Sequence, residues 1–378
     1  MNITELRLLN YRNFENEVIE LHPSVNIISG NNAEGKTNLI ESVFYLSTLH
    51  PVRQVREREL ICNGCGFGKV EAQVQRIDRK YSLEVTLSIT ERRKLLKNGV
   101  YQRRASDFIG TLRTVLFSPD DMNLIKDSSV KRRRMVDVAL CQLRPNYLLH
   151  LSEYNRALEQ KSRILRTLDE KPSLAEMIPS YDEQMAIHGA QVISYRNRYL
   201  EMLNGVSGGI AEAISGGKDT MELKYVSLSN IRDPSLPVDQ LADLIREHQR
   251  THKTAELSTR TCLSGPHKDD FIVSINGTDA KSFASQGQIR TAVLSLKLAE
   301  RDIVQLDTGD YPVLLLDDVL SELDSDRQNF VLNRINAGQV IISSCTIDKY
   351  AEMLQGRLFR IREGSVTGAQ DLSEKGAK

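Results

Sequence analysis

The stretch Gly30-Asn31-Asn32-Ala33-Glu34-Gly35-Lys36-Thr37 satisfies the pattern GxxxxGK[ST], and it admits few folds. The apolar run Val25 to Ser29 before it reads as a strand, and Asn38-Leu39-Ile40-Glu41-Ser42-Val43-Phe44 after it is compatible with a helix. Strand, glycine loop and helix are the context this pattern needs. Gly30 and Gly35 permit a backbone whose successive N–H groups turn inward around an anion, and the helix aims its positive end at the same point. Lys36 is expected to reach β- and γ-phosphates and Thr37 to ligate Mg²⁺. The pattern therefore implies a nucleoside triphosphate, with Gly30, Asn31, Asn32, Ala33, Glu34, Gly35, Lys36, Thr37 and Asn38 around it. A chance glycine-rich turn is the competing account, and a partner motif far downstream argues against it.

That partner is Val313-Leu314-Leu315-Leu316-Asp317-Asp318, an apolar run that reads as a buried parallel strand ending in two carboxylates. Asp317 is placed to hold Mg²⁺ directly or through water, and Asp318 to orient an attacking water. Ser321-Glu322-Leu323-Asp324 follows at once, and Ser285-Gln286-Gly287-Gln288 precedes, opening another helix with hydroxyl and N–H donors. The order of these motifs resembles that of ABC-type ATPase heads, as in SMC-like proteins. In such heads the serine-glycine motif completes the nucleotide site of a second subunit, so the resemblance implies an ATP-dependent homodimer with Ser285, Gln286 and Gly287 acting across it. Lys36, Gln288 and Asp318 are the residues assigned to hydrolysis.

SMC-like proteins separate the two halves of the head with long coiled coil, and 378 residues leave no room for one. The fold class expected is α/β: an ABC-type P-loop head from residues 1–115 and 262–378, with a mainly helical inserted lobe at 116–261. Two helical stretches are expected within the insert, about Pro145 to Leu168 and Ser173 to Leu203, before a glycine-rich segment from Gly205 to Gly217. Leu149, Leu151, Tyr154, Leu158, Ile164 and Leu165 form the apolar side of the first, with Glu153, Arg156, Glu159, Gln160, Lys161 and Arg163 on a wetted face.

Longer motifs narrow the resemblance. Leu6 to Phe14 ends in Asn10-Tyr11-Arg12-Asn13-Phe14; Leu116 to Lys126 is followed by Arg132-Arg133-Arg134-Met135-Val136-Asp137; Ser264-Gly265-Pro266-His267-Lys268-Asp269-Asp270 precedes the late motifs. Together these resemble the RecF family of bacterial recombination mediators over essentially the whole chain. The resemblance implies binding of double-stranded DNA at gaps or single-strand/double-strand junctions, RecR and RecO as partners in loading recombinase, and slow, DNA-dependent ATP hydrolysis that resets a binding switch. An SMC-like head acting on a partner protein, rather than directly on DNA, is the alternative. A metabolic P-loop kinase is the other rival, and kinases of that type lack the SQGQ and SELD pair. The chain departs from the family at Asp127 and Ser129, where a Gly and a Pro are usual, and at Leu49-His50-Pro51-Val52, although Arg53 and Arg56 stand at matching positions. Those arginines fit a solvated turn or a nucleotide or DNA contact equally well. After the strand Gln339 to Ile342, Ser343-Ser344-Cys345-Thr346 stands where many ABC heads carry a histidine. Asp318 replaces a longer Glu, which should slow turnover.

Lys plus Arg equals Asp plus Glu at 50 each, so affinity for DNA requires a local patch. Arg92, Arg93, Lys94, Lys97, Arg103 and Arg104 flank Asn98-Gly99, a type I′ hairpin signal; their pattern fits tracking of phosphates or protection of an edge strand equally, and the family resemblance implies DNA. Lys131 to Arg134 begins a helix whose arginines are expected to pair with the Ser321-Glu322-Leu323-Asp324 region or to meet phosphates. His267 is read as a structural turn residue ahead of a nucleotide contact. The five cysteines are scattered; Cys62 and Cys65 have zinc-knuckle spacing without a second pair, so reduced thiols are expected. No apolar run approaches the ~20 residues of a membrane span, and no leader is apparent, so a cytoplasmic location is expected.

Overall fold

The computed structural model describes residues 1–53, 55–344 and 355–372. In chain order it begins with β1 (Asn2–Tyr11), β2 (Phe14–Glu20), β3 (Val25–Ser29) and α1 (Lys36–Thr48). Next come β4 (Phe67–Gln75), β5 (Lys80–Ser88), β6 (Lys94–Lys97), β7 (Val100–Tyr101) and β8 (Thr114–Phe117). The middle holds α2 (Ser129–Leu143), α3 (Pro145–Thr167), α4 (Ile178–Ser215), β9 (Met221–Val226), α5 (Val238–Thr259), β10 (Asp270–Ile275), β11 (Thr278–Asp279) and α6 (Ala280–Phe283). The remainder is α7 (Gln286–Thr308), β12 (Val313–Asp317), α8 (Ser325–Arg334), β13 (Val340–Ser344), β14 (Gly356–Arg362) and β15 (Ser365–Leu372).

The chain divides into two compact units, Met1–Asn123 with Arg290–Lys378, and Leu124–Ile289. The first contains two six-stranded sheets. One runs β2-β1-β4-β5-β6-β7 and is antiparallel. Its β4 and β5 alternate buried and more exposed residues, as strands with one face on a core do. The other runs β15-β14-β3-β13-β12-β8, parallel except for β15. Here β3, β12 and β13 are buried at every residue, which is why they read as unbroken apolar runs. Helix α1 packs against strands of both sheets and is buried at nearly every position, as a helix covered all round must be.

The second unit is helical around α3, α4 and α5, with a small antiparallel sheet in the order β11-β10-β9. The structure differs from several expectations here. The boundary falls after Ile289 rather than at 261/262, because β10 pairs along its length with β9 of the insert; on the other side it falls after Asn123 rather than at 115/116. Helix α4 begins only at Ile178, Pro172–Met177 forming a separate 3₁₀ turn, and it runs through Gly205, Gly208 and Gly209 to Ser215. A Cβ on Gly208 would lie 3.2 Å from the Met221 carbonyl oxygen, so the missing side chain lets β9 approach the helix. Leu149 is exposed, whereas Lys161 is wholly buried within the stripe of Tyr154, Ala157, Ile164 and Leu165. Its ammonium donates to Asp182 at 2.6 Å and to Glu256, which replaces the water a lysine normally requires.

Candidate nucleotide site

The glycine loop leaves the carboxyl end of β3, in the middle of the parallel sheet, where open α/β sheets bind ligands. Gly35 has φ +120°, and Ala33 takes the left-handed region at φ 68°, so the loop coils tightly before α1 starts at Lys36. The Lys36 ammonium donates to the carbonyls of Gly30 at 2.6 Å and Asn31 at 2.7 Å, folding the side chain back over the loop. The Glu34 carboxylate accepts from the Asn31 N–H at 2.8 Å and from the Asn31 side-chain amide at 3.1 Å.

Distant residues brace this loop. Between β1 and β2, Arg12 and Asn13 make a tight turn. Asn13 donates to the Glu34 carbonyl at 3.0 Å and accepts from Asn38 at 2.8 Å. The turn between β14 and β15 adds the Gly364 N–H to the same carbonyl at 2.9 Å. A Cβ on Gly364, at φ +78°, would stand 1.9 Å from the Asn13 carbonyl oxygen, so only glycine fits. The sequence marked Asn13 and Phe14 only as part of a motif; its bracing role had no local signal.

On the acidic side, β13 lies between β3 and β12, and Ser343 registers with both Ile28 and Asp317. Thr37 donates to Asp317 at 3.0 Å, joining residues 280 positions apart. Ser343 donates to the same carboxylate oxygen at 2.7 Å and accepts from the Asp318 N–H at 2.9 Å. Ser343, the first residue of the run that stands where many ABC heads carry a histidine, thus fixes the Asp317 carboxylate and the Asp318 backbone; Cys345 and Thr346 lie outside the described residues. Asp318 takes the left-handed conformation at φ 50°, which aspartate adopts more readily than most residues with a side chain. Burial raises its carboxyl above the ordinary aspartate range, Asp317 adds to the rise, and Lys36 opposes it. Thr37 and Asp317 present only oxygen donors, which suits a hard cation such as Mg²⁺. The loop fits a polyphosphate on the same grounds: a positive-φ glycine, a helix N-terminus and an ammonium at one place.

One turn beyond Thr37, Glu41 is buried and paired with Arg12 at 3.4 Å and Arg53 at 3.1 Å. Burial pushes its carboxyl up, and Arg53 and Arg12 hold it down. Beyond β12, Arg327 donates to the Thr291 hydroxyl at 2.8 and 3.0 Å and pairs with Asp324, which also caps α8, so the SELD segment is tied to α7.

Ser285, Gln286, Gly287 and Gln288 start α7 in the second unit. The Ser285 N–H donates to the Gln288 side chain at 3.0 Å, and the Gln288 N–H donates to the Ser285 hydroxyl at 3.2 Å, a reciprocal capping box. Gln288 also donates to Asp219 at 2.8 Å. Within the basic run at the start of α2, Arg132 makes a two-pronged pair with Asp270 at 2.7 and 2.8 Å and donates to three backbone carbonyls, while Arg133 donates to the Asp269 carbonyl. His267 accepts from the Tyr154 hydroxyl through Nδ1 and donates from Nε2 to the Cys262 carbonyl at 3.1 Å. Burial drives its pKa down to about 4, so it is a neutral structural residue.

Asn98 and Gly99 both have positive φ, at 52° and 74°, as a type I′ hairpin requires. The hairpin cations differ in their engagements. Arg93 pairs with Glu57 and donates to the Leu49 carbonyl at 2.9 Å; Lys94 pairs with Glu91 at 2.8 Å; Lys97 lies over the Tyr81 ring at 5.4 Å. Arg92, Arg103 and Arg104 are exposed, and the first two line a groove of about 390 Å³ together with Glu57, Glu91 and Tyr101.

A glycine loop on the central strand, an acidic strand end two strands over and a mostly parallel sheet beside an antiparallel one define a P-loop ATPase head of the ABC type, the kind carried by SMC proteins. An SMC head domain from Pyrococcus furiosus shares this fold at TM-score 0.56 and 15% identity, covering 98% of this chain and 96% of that one. Residues 2–366 match the RecF/RecN/SMC N terminal domain family. The chain is 37% identical over 370 residues to the DNA replication and repair protein RecF of Clostridium botulinum (strain ATCC 19397 / Type A), covering 97% of this chain and 99% of the relative. Its identity to the Oceanobacillus iheyensis protein of that name is 36% over 371 residues, 97% of this chain and 100% of the relative. A solved structure of the recombination mediator protein RecF in the RecFOR pathway, as RecF-ATPrS, superimposes with TM-score 0.89 at 29% identity over 98% of each chain. A second, RecF-ATP, does so with TM-score 0.88 at 29% identity, over 98% of this chain and 97% of that one. This chain belongs to the RecF family.

Proposed function

We propose that the chain is an ATP-dependent DNA-binding switch of DNA replication and repair, of the RecF kind. The observation that carries this reading is the meeting of Lys36, Thr37, Asp317 and Ser343 at the ends of three adjacent parallel strands. Lys36 and the loop N–H groups hold the phosphates, Thr37 and Asp317 hold Mg²⁺, and Asp318 accepts a proton from the attacking water. Mg²⁺ held by Thr37 and Asp317 would supply charge neutralisation at the phosphates. Asp318, one methylene shorter than Glu, makes hydrolysis slow. Ser285 and Gly287 of one copy meet the nucleotide held by another, so the dimer is stabilised by mass action and dissociates after hydrolysis. Duplex DNA, including gaps and single-strand/double-strand junctions, is the target of the dimer, with RecO and RecR as partners in loading recombinase; the likeness to RecF structures of the RecFOR pathway supports the pathway.

The deciding experiment is light scattering with and without Mg-ATP, repeated with Lys36→Ala. Conversion of monomers to dimers by ATP in the wild type alone is the expected result. A mass unaffected by ATP, in a protein that binds ATP, overturns the switch.

A further inference from the structure

Cys62 and Cys65 lie on the turn between the 3₁₀ segment Glu57–Leu60 and β4, and neither is among the residues assigned above to nucleotide or DNA. The Cys65 N–H donates to the Cys62 carbonyl at 3.0 Å, and Gly64 at φ +84° supplies the left-handed position that reverses the chain. A turn closed in this way keeps its end Cα atoms within about 7 Å, and a disulfide spans roughly 4.4–6.8 Å between Cα atoms. Both cysteines are half-buried and unbridged, in contrast to the buried Cys262.

The turn is also anchored. Cys62 N–H donates to the Asn10 carbonyl at 2.8 Å, Arg12 N–H to the Leu60 carbonyl at 2.7 Å, and Ile61 bridges to Tyr11. The backbone that carries the two cysteines is thus already fixed against β1, so little further backbone ordering is needed when they join. A metal site is the other use of paired cysteines, but among the described residues no group of three or more His, Cys, Asp or Glu could hold one.

We propose that Cys62 and Cys65 form a reversible intramolecular disulfide, a redox modification site particular to this turn, with a low-molecular-weight disulfide as oxidant. One cysteine thiolate attacks a sulfur of glutathione disulfide; the glutathione S–S bond breaks, a mixed disulfide forms and one glutathione leaves with a proton. The neighbouring thiol then loses its proton and attacks the protein-side sulfur, closing Cys62–Cys65 and releasing the second glutathione. The two cysteines are oxidised by two electrons, and the glutathione disulfide is reduced to two thiols. Burial and the adjacent Cys65 push the Cys62 thiol up, so closure accelerates with rising pH.

The test is peptide mass mapping of the full chain after native incubation with glutathione disulfide, acid quench, denaturation and alkylation. Trypsin places both cysteines, and no other, on the peptide Glu59 to Lys69. The expected result is that most of this peptide lacks two hydrogens and carries neither alkyl group nor glutathione, and that excess dithiothreitol restores two alkylatable thiols. The Cys62→Ser variant should instead retain one glutathione on Cys65. Two alkyl groups or two glutathiones on the wild-type peptide overturns the proposal, whatever the variant shows.

Discussion

Lys36 and His267 are both polar side chains folded against backbone carbonyls, yet their environments give them opposite uses. Two carbonyls hold Lys36 over a loop rich in N–H donors, so an arriving phosphate exchanges one set of partners for a stronger one. Lys36→Ala should lose about 1.5–3 kcal/mol of binding, or roughly tenfold to hundredfold in ATP affinity, with the fold intact. Titration calorimetry with ATP and a melting curve check both halves. His267 is spent on structure. Its folded pKa of about 4 lies below the ordinary histidine value, so the folded state resists the proton that the unfolded state accepts. Stability is therefore fully present above the unfolded pKa of about 6.5 and falls as pH drops from there towards 4, by at most about 3 kcal/mol and less where solvent reaches the ring. Urea midpoints at pH 7 and pH 4.5 should differ less in His267→Gln than in the wild type, after allowance for the other groups that titrate there.

At the scale of elements, the hairpin β6–β7 separates into cations that hold the fold and cations that face water. Arg93 joins the turn after α1 to Glu57, so Arg93→Ala should lower the melting temperature rather than act on DNA alone. Arg92, Arg103 and Arg104 remain for phosphates. Changing these three to Ala should weaken binding to all duplex sequences alike and flatten the slope of log K against log salt by about 0.9 for each phosphate no longer neutralised. Fluorescence anisotropy across a salt series measures this; an unchanged slope would mean that the hairpin is only a protected edge. The basic start of α2 reads similarly in sequence but differs in structure, because Arg132 is buried on Asp270 and on three carbonyls.

For the molecule as a whole, the test is whether α7 carries information between copies. Ser285→Arg should leave ATP binding by the monomer intact and block ATP-driven dimers, since a long cation would fill the space meant for another copy's phosphate. The substitution also breaks the capping box, costing about 1 kcal/mol, so Ser285→Ala serves as the control for lost capping. Light scattering of both variants with Mg-ATP separates the effects: normal dimers in the Arg variant would remove Ser285 from the interface.

The glycine loop, the acidic strand end, the type I′ turn and the order of motifs were legible in the sequence because each depends on residues a few positions apart, whose spacing alone sets the backbone. The length that excludes a coiled coil was legible for a similar reason. Tertiary structure decided the rest. Lys161 looks like a surface lysine until Asp182 and Glu256 arrive from other helices. Gly208 of α4 looks like part of a linker until β9 approaches it. Asn13 and Gly364 brace a loop from distant turns, and Ser343 positions Asp317 only because β13 enters between β3 and β12. A periodic pattern shows which face of an element is apolar. Which polar partner crosses the core to meet a buried charge depends on how strands and helices are ordered in space.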